Sequence, residues 1–227
     1  IPILAEWMFF DAAFEGGSRK DCRAVAHGAC WAFIGERLSL FIYGFYPEPE
    51  RWRVDLSFLL LILAIVPVLY DGTPHRGKAL IYSCLYPLIA AFFLVGGIGL
   101  ERVPTDQFGG LMLNIIIGIT GIAFSLPIGV VLALGRQSHL PIVRILCIGF
   151  IEFIRGVPLI TLFFVAAVML SYFVPPGTNF DLLVRILIMG TLFASGYMAE
   201  VIRGGLQAIP RGQYEAADAM GLTYWKS

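Results

Sequence analysis

The chain has 227 residues, with 16 basic and 16 acidic side chains and no net charge. Hydrophobic residues make up 58% of it, charged residues 14%, and the mean hydropathy is +0.81. Soluble domains carry about 45–50% apolar and about 25% charged residues, so polar surface is too scarce here to coat a soluble globule, and no basic run is present to hold nucleic acid. Composition therefore predicts an all-α, polytopic helical membrane protein with the lipid bilayer as its surroundings.

The first residues, "IPILAEWMFF", read as the tail of a preceding helix or as an interfacial one. Because the chain starts at Ile1 and stops at Ser227 inside an apparent helix, it reads as an internal fragment, and a targeting signal cannot be judged. Residues 11–53 form a polar segment. A bilayer core about 30 Å thick needs roughly 20 apolar helical residues. Five segments qualify: Val54–Tyr70, Ala79–Leu100, Phe108–Leu134, Val157–Val174 and Leu182–Ile202. Trp52 and Tyr70 fall where interfacial rings are expected. Pro67 should disturb the last turn of the first span, Pro87 should break the second, and Pro127 should kink the third. The run Leu140–Ile154 is shorter, carries Arg144 and Glu152, and reads as an interfacial elbow. Gly96, Gly97, Gly99, Gly118, Gly121 and Gly129 suit close helix approach, or a bundle that opens and closes around a solute path.

Lys and Arg set the orientation. Arg76 and Lys78, then Arg136, Arg144 and Arg155, then Arg203, Arg211 and Lys226 alternate with loops that hold only Arg102 or no basic residue. This places 71–78, 135–155 and 203–227 in the cytoplasm. The basic residues of 11–53 then lie outside, against the rule, but that loop is long. Cys84 and Cys147 lie in apolar runs and read as buried small side chains. Cys22 and Cys30 are either a disulfide, if their region faces an oxidising compartment, or two unpaired thiols. No cysteine–histidine pattern suggests a metal, and His27, His75 and His139 carry no evident chemistry.

After the last span the sequence turns polar, at "GQYEAADAMG" from Gly212 to Gly221. Pro210 and Gly212 should interrupt the helix, which restarts with Gly212 as N-cap and Glu215 placed to reach back to a free N–H. Tyr214, Ala217, Gly221, Tyr224 and Trp225 then share one face, with Glu215 and Asp218 on another. A short amphipathic helix with small residues at its centre can seat closely in a partner's groove, or can simply join two spans. It has no basic face for lipid.

This stretch resembles the EAA loop of bacterial ABC importer permeases. Glu215, Ala216, Ala217 and Gly221 match the pattern of E-A-A, three residues, then G. "EFIRGVPLITLFF" and "YMAEVIRGGLQAIPRGQYEAA" are similar to the polar amino-acid branch of that superfamily, over about Phe108 to Ser227. "HGACWAF" and "YGFYPEPERWRVDL" resemble, more loosely, the M-type permease of general L-amino acid transporters. The resemblance implies a coupling helix built on Tyr214, Glu215, Ala216, Ala217, Asp218 and Gly221. It also implies two cytoplasmic ATPase subunits, a second permease subunit and a periplasmic amino-acid-binding protein. The family pattern continues past Gly221 to further elements that this chain does not reach. On this reading residues 1–53 are a periplasmic or interfacial segment after a missing helix and 54–107 are two extra spans. Residues 108–227 are a permease core truncated inside the coupling helix.

"EFIRG" (152–156) and "EVIRG" (200–204) are near-copies. Glu152 and Arg155, and Glu200 and Arg203, are three apart and able to pair along a helix face. They form or flank an inner gate, with Tyr197 and Ser195 as candidate path residues, or they simply end their helices at the headgroups. Arg185 either attracts a substrate carboxylate or snorkels. No nucleophile–base pair and no phosphate-cradling loop is present, so this chain is expected to be no enzyme, to bind no cofactor and to leave ATP to a partner subunit. The expected function is an inner-membrane permease subunit for amino acids, of broad L-amino-acid range, working by alternating access. Two alternatives stand. One is an ion-gradient-driven secondary transporter, for which Asp55 and Glu200 are the only carboxylates near spans. The other is a scaffold without transport.

Overall fold

The computed structural model describes residues 2–15, 20, 28–97, 99–173, 175 and 180–221. Among these, helices are joined by short loops, and extended pairing is confined to two isolated bridges, Ala13 with Cys30 and Gly44 with Phe108. The helices are α1 (Pro2–Ala5, continued by a π turn at Glu6–Phe10), α2 (Trp31–Tyr43), α3 (Arg51–Leu69), α4 (Arg76–Val95) and α5 (Gly110–Arg136). They continue with α6 (Pro141–Gly156), α7 (Leu159–Phe164), α8 (Leu182–Gln207) and α9 (Arg211–Ala219). The chain divides into two compact units, residues 1–116 and 117–227, and the division falls inside α5.

Four helices are long and apolar enough to cross a membrane: Glu48–Leu69, α4, α5 and α8. The predicted fourth span is different. α7 runs on as a π segment, Val165–Met169, and a 3₁₀ turn, Leu170–Tyr172, and qualifies only together with α6, from which it is bent by 101°. The predicted elbow is therefore α6, and the break falls at Val157–Pro158, where Pro158 disfavours a helical residue before it.

In the first unit α3 and α4 form a hairpin. Its lipid-side composition leaves little hydrophobic drive between the helices, and hydroxyls supply specificity. Tyr82 Oη donates to the Leu60 carbonyl (2.9 Å), Ser83 Oγ to Ala64 (2.6 Å) and Tyr86 Oη to Ser57 (2.9 Å). Neither Pro67 nor Pro87 ends its helix, contrary to the expected break at Pro87. A mid-helix proline costs about 3 kcal/mol in water, but spanning helices tolerate it because neighbours satisfy the freed groups. Arg76 Nε donates to the Pro67 carbonyl, one of the last-turn acceptors that no helical N–H reaches, at 3.2 Å.

The hairpin is locked at its other end by Arg53, which is 2% exposed. Its guanidinium pairs with Glu50 at 2.5 Å and donates to the Glu101 carbonyl at 2.6 Å. Tyr46 Oη donates to the Leu94 carbonyl at 2.8 Å, and burial pushes this phenol's pKa up. Gly96, Gly97 and Gly99 lie in the turn after α4 with positive φ, not inside a span. Their use is to reverse the chain, which a side chain would resist. Cys84 is exposed rather than buried, Cys147 is half-buried, and both are free. Cys30 is disulfide-bonded, and Cys22 lies outside the described residues.

In the second unit α5, α6 and α8 meet around Ala133, Ile151 and Ala199, with Leu132, Phe150 and Ile202 against them. Small residues permit this approach. A Cβ on Gly129 would lie 2.7 Å from Met198 Cγ, and one on Gly196 would lie 3.2 Å from Ile154 Cγ2. Gly118 and Gly121 face open space instead, so of the glycines predicted to pack helices only Gly129 does so. α5 passes through Pro127 without interruption. α8 starts on an Asp181 N-cap, whose carboxylate accepts from Val184 N at 3.2 Å.

Candidate functional site

The core of the second unit carries its charges one step further along each helix. Arg136 lies one turn past Ala133 on α5. Glu152 follows Ile151 and Arg155 follows Ile154 on α6. Glu200 follows Ala199 on α8. Packing of these apolar positions thus forces four ionic side chains together, and Arg203, one turn past Glu200 on α8, joins them.

Glu200 is the hub, with its side chain 16% exposed. Its Oε2 accepts from Arg203 Nε at 2.8 Å and from Arg203 Nη2 at 2.8 Å. Its Oε1 contacts Arg136 Nη1 and lies 3.4 Å from Arg155 Nη1. Arg136 Nη1 also lies 3.4 Å from Glu152 Oε1, whose side chain is 57% exposed. The predicted pair Glu200–Arg203 is present. The predicted pair Glu152–Arg155 is not: Glu152 turns to Arg136 and Arg155 to Glu200, because the close α6–α8 contact at Ile154 and Gly196 brings a stronger partner within reach. Arg136, which sequence reasoning took only as a loop charge, bridges both carboxylates. The signal for it was its place at the end of a span on the same predicted side as both E-x-x-R repeats.

Arg155 also lies over the Tyr197 ring, 5.6 Å from its centroid, and that ring packs on Phe193 at 5.0 Å. Tyr197 is 45% exposed and thus free to face a path or partner, whereas Ser195 is fully buried and donates back to the Leu192 carbonyl. Arg185 is tied to protein: its Nη1 donates to the Ala167 carbonyl at 2.9 Å, within the π segment where the regular helical ladder is broken.

α8 ends at Gln207, and after Ala208–Pro210 the polar helix α9 begins. It starts at Arg211 with Pro210 in the N-cap position and no side-chain cap. Gly212 is therefore not the N-cap, and Glu215 lies beyond the first turn, out of reach of the helix's free N–H groups. The helix closes early. Met220 N donates to the Ala216 carbonyl (3.1 Å), Gly221 N to Asp218 (3.0 Å), and Gly221 takes φ +71°. Glycine there ends the helix and does not sit on its small-residue face. Ala217 is only 7% exposed, while Glu215, Ala216 and Asp218 are exposed, so the face with Glu215 and Asp218 is the open one and Ala217 lies on the covered one. The backbone of Tyr214 lies in α9; its side chain, Tyr224 and Trp225 lie outside the described residues.

Comparison with known proteins matches residues 125–227 to the family described as binding-protein-dependent transport system inner membrane component. The chain is 51% identical over its whole length to the inner membrane amino-acid ABC transporter permease protein YhdY of Escherichia coli strain K12, and spans 62% of that relative. It is 41% identical, again over its whole length, to the glutamate/glutamine/aspartate/asparagine transport system permease protein BztC of Rhodobacter capsulatus, and spans 67% of it. A solved structure described as an amino acid ABC transporter with histidines matches at 29% identity and a TM-score of 0.45, over 51% of this chain and 52% of its own. With the chain aligned end to end on permeases of this kind and its helices apolar enough to span, it is a multi-pass inner-membrane protein that belongs to the family of binding-protein-dependent transport system inner membrane components, among the amino-acid ABC transporter permeases.

Proposed function

We propose that this chain is part of one permease subunit of an ATP-driven amino-acid importer of broad L-amino-acid range, working by alternating access. Its spans form half of a translocation path and a second permease subunit forms the rest. Cytoplasmic ATPase subunits bind α9, and a periplasmic amino-acid-binding protein delivers substrate. One observation carries the reading. The polar helix α9 hangs from α8 by three residues, and the base of α8 is clamped to α5 and α6 through Glu200. A push on α9 reaches α8 and must then strain or re-pair the hub. Because three arginines compete for one carboxylate, exchange of partners breaks no ion pair without offering another. That is the property an inner gate needs, with Glu152, Arg155, Glu200, Arg203 and Tyr197 as its members. On this reading 71–78, 135–155 and 203–227 face the cytoplasm.

An ion-driven mechanism has less support. It needs a carboxylate free to load and release a cation inside the membrane. Asp55 accepts a hydrogen bond from Tyr43 Oη at the end of α3, and Glu200 is surrounded by guanidinium groups.

The test is cysteine cross-linking in the assembled complex at Ala216, which is exposed, in place of the inward-turned Ala217. The expected result is a cross-link to an ATPase subunit that changes with ATP. No cross-link, together with uptake that follows an ion gradient, overturns the reading.

A further inference from the structure

α2 is an amphipathic helix that buries neither face and leaves its apolar stripe uncovered. Ile34, Leu38 and Phe41 recur at i, i+4 and i+7 and are 51%, 48% and 65% exposed. Phe45, just past the helix, is 75% exposed. Away from the stripe, Glu36, Arg37, Ser39 and Leu40 line a groove of about 480 Å³, shared with Phe45, Tyr46, Glu48 and Arg51 in the turn that leads into α3. A helix on a water-facing domain does the reverse, with its apolar stripe against the core.

The position of α2 says what meets the stripe. Its C-terminal end is fastened to the starts of two spans. Tyr43 Oη donates to Asp55 Oδ1 on α3 at 2.7 Å, and this hydrogen bond, ahead of burial, pushes the phenol's pKa up, so the donor stays protonated at physiological pH. Gly44 bridges to Phe108, whose ring packs on Tyr46 at 5.6 Å, just before α5 begins at Gly110. The main-chain carbonyls of Leu40 and Phe41 crowd Gly110 itself. α3 and α5 both enter the lipid from this point, so α2 lies at the height of the headgroups. Arg37, beside the Phe33 ring at 5.8 Å, flanks the stripe where a phosphate layer would be.

We infer that α2 is an interfacial anchor: it lies along the membrane surface at which α3 and α5 begin, with Ile34, Leu38 and Phe41 inserted among the lipid acyl chains and Glu36 and Ser39 turned to the groove. Such a helix sinks its apolar side about 5–10 Å into the headgroup–acyl boundary. The inference rests on the multi-pass fold and not on the proposed mechanism of transport.

The experiment uses the full-length permease in its assembled complex, in nanodiscs, with Cys84→Ala and Cys147→Ala to remove the free thiols. A fluorophore is attached at Phe41→Cys or Ser39→Cys, and ordinary phosphatidylcholine is compared with its brominated form. The expected result is strong loss of emission at position 41 and little at 39. Leu38→Cys serves as a second site on the stripe should Phe41→Cys assemble poorly. Equal quenching at both faces overturns the inference. So does a position 41 that neither brominated lipid nor aqueous iodide reaches, since protein then covers the stripe.

Discussion

Each unit of this chain is fastened by arginine, but the two fastenings are built differently. In the first, Arg53 is fully enclosed and serves one carboxylate and one carbonyl, both of which hold it at short range. In the second, one carboxylate serves three arginines from three helices, and part of the cluster is open to its surroundings. The first arrangement has one state, because any movement strands a buried charge. The second gives Glu200 three guanidinium groups within reach and Arg136 two carboxylates, so a movement that breaks one pair leaves another. A permanent joint and a movable one are thus distinguished by how many partners each charge can choose from.

The largest effect should come from breaking the permanent joint. Arg53→Met leaves the Glu50 carboxylate and the Glu101 carbonyl without their donor, and removing one member of a buried pair costs about 3–5 kcal/mol. The expected outcome is a marked loss of folded protein and a lower melting temperature in detergent, with no ATP dependence. Glu200→Gln should separate function from folding. Three neighbouring guanidiniums lose their counter-charge, worth about 1.5–3 kcal/mol at hydrogen bonds to charged groups, yet partial exposure relieves the strain. Folded yield should hold while substrate-dependent uptake falls by at least about tenfold, the rate equivalent of 1.4 kcal/mol. The exchange Glu200→Arg with Arg136→Glu should recover part of the uptake. Equal loss of folding in Arg53→Met and Glu200→Gln would erase the distinction.

Gly221→Ala tests whether the end of α9 matters through its backbone or its bulk. A Cβ there meets nothing within 4 Å, but φ is +71°, so the substitution should cost about 1 kcal/mol through strain alone. Gly221→Asn, which tolerates left-handed backbone better, should transport better than Gly221→Ala. The smallest effect belongs to Glu152→Gln, which removes a 3.4 Å pair from a side chain more than half exposed. A cost within about 1 kcal/mol and near-normal uptake are expected.

What could be read from sequence followed from what is local. Four of the five spans, the elbow at 140–154, the pairing of Glu200 with Arg203 and the polar helix after Pro210 all depend on spacings of a few residues. Arg136 could not be read this way, because its partners lie 16 and 64 positions away and are brought to it by the packing of Ala133, Ile151 and Ala199. Proline misled at Pro87, since its penalty assumes water in place of neighbouring helices. α2 was hidden inside a segment taken as a loop by its charges, although the spacing of Ile34, Leu38 and Phe41 was there to be read.

The bend after α6 has an electrical consequence. Leu159–Tyr172, at about 1.5 Å per residue, reaches roughly 20 Å, well short of a hydrocarbon layer about 30 Å thick. This leg cannot insulate the full depth of the bilayer. A hydrophobic leg shorter than the layer is accommodated by local thinning, by snorkelling of flanking residues or by association with other helices. On the proposed transport function, a short leg on a stiff elbow would lower the barrier that the hydrocarbon layer sets to polar cargo.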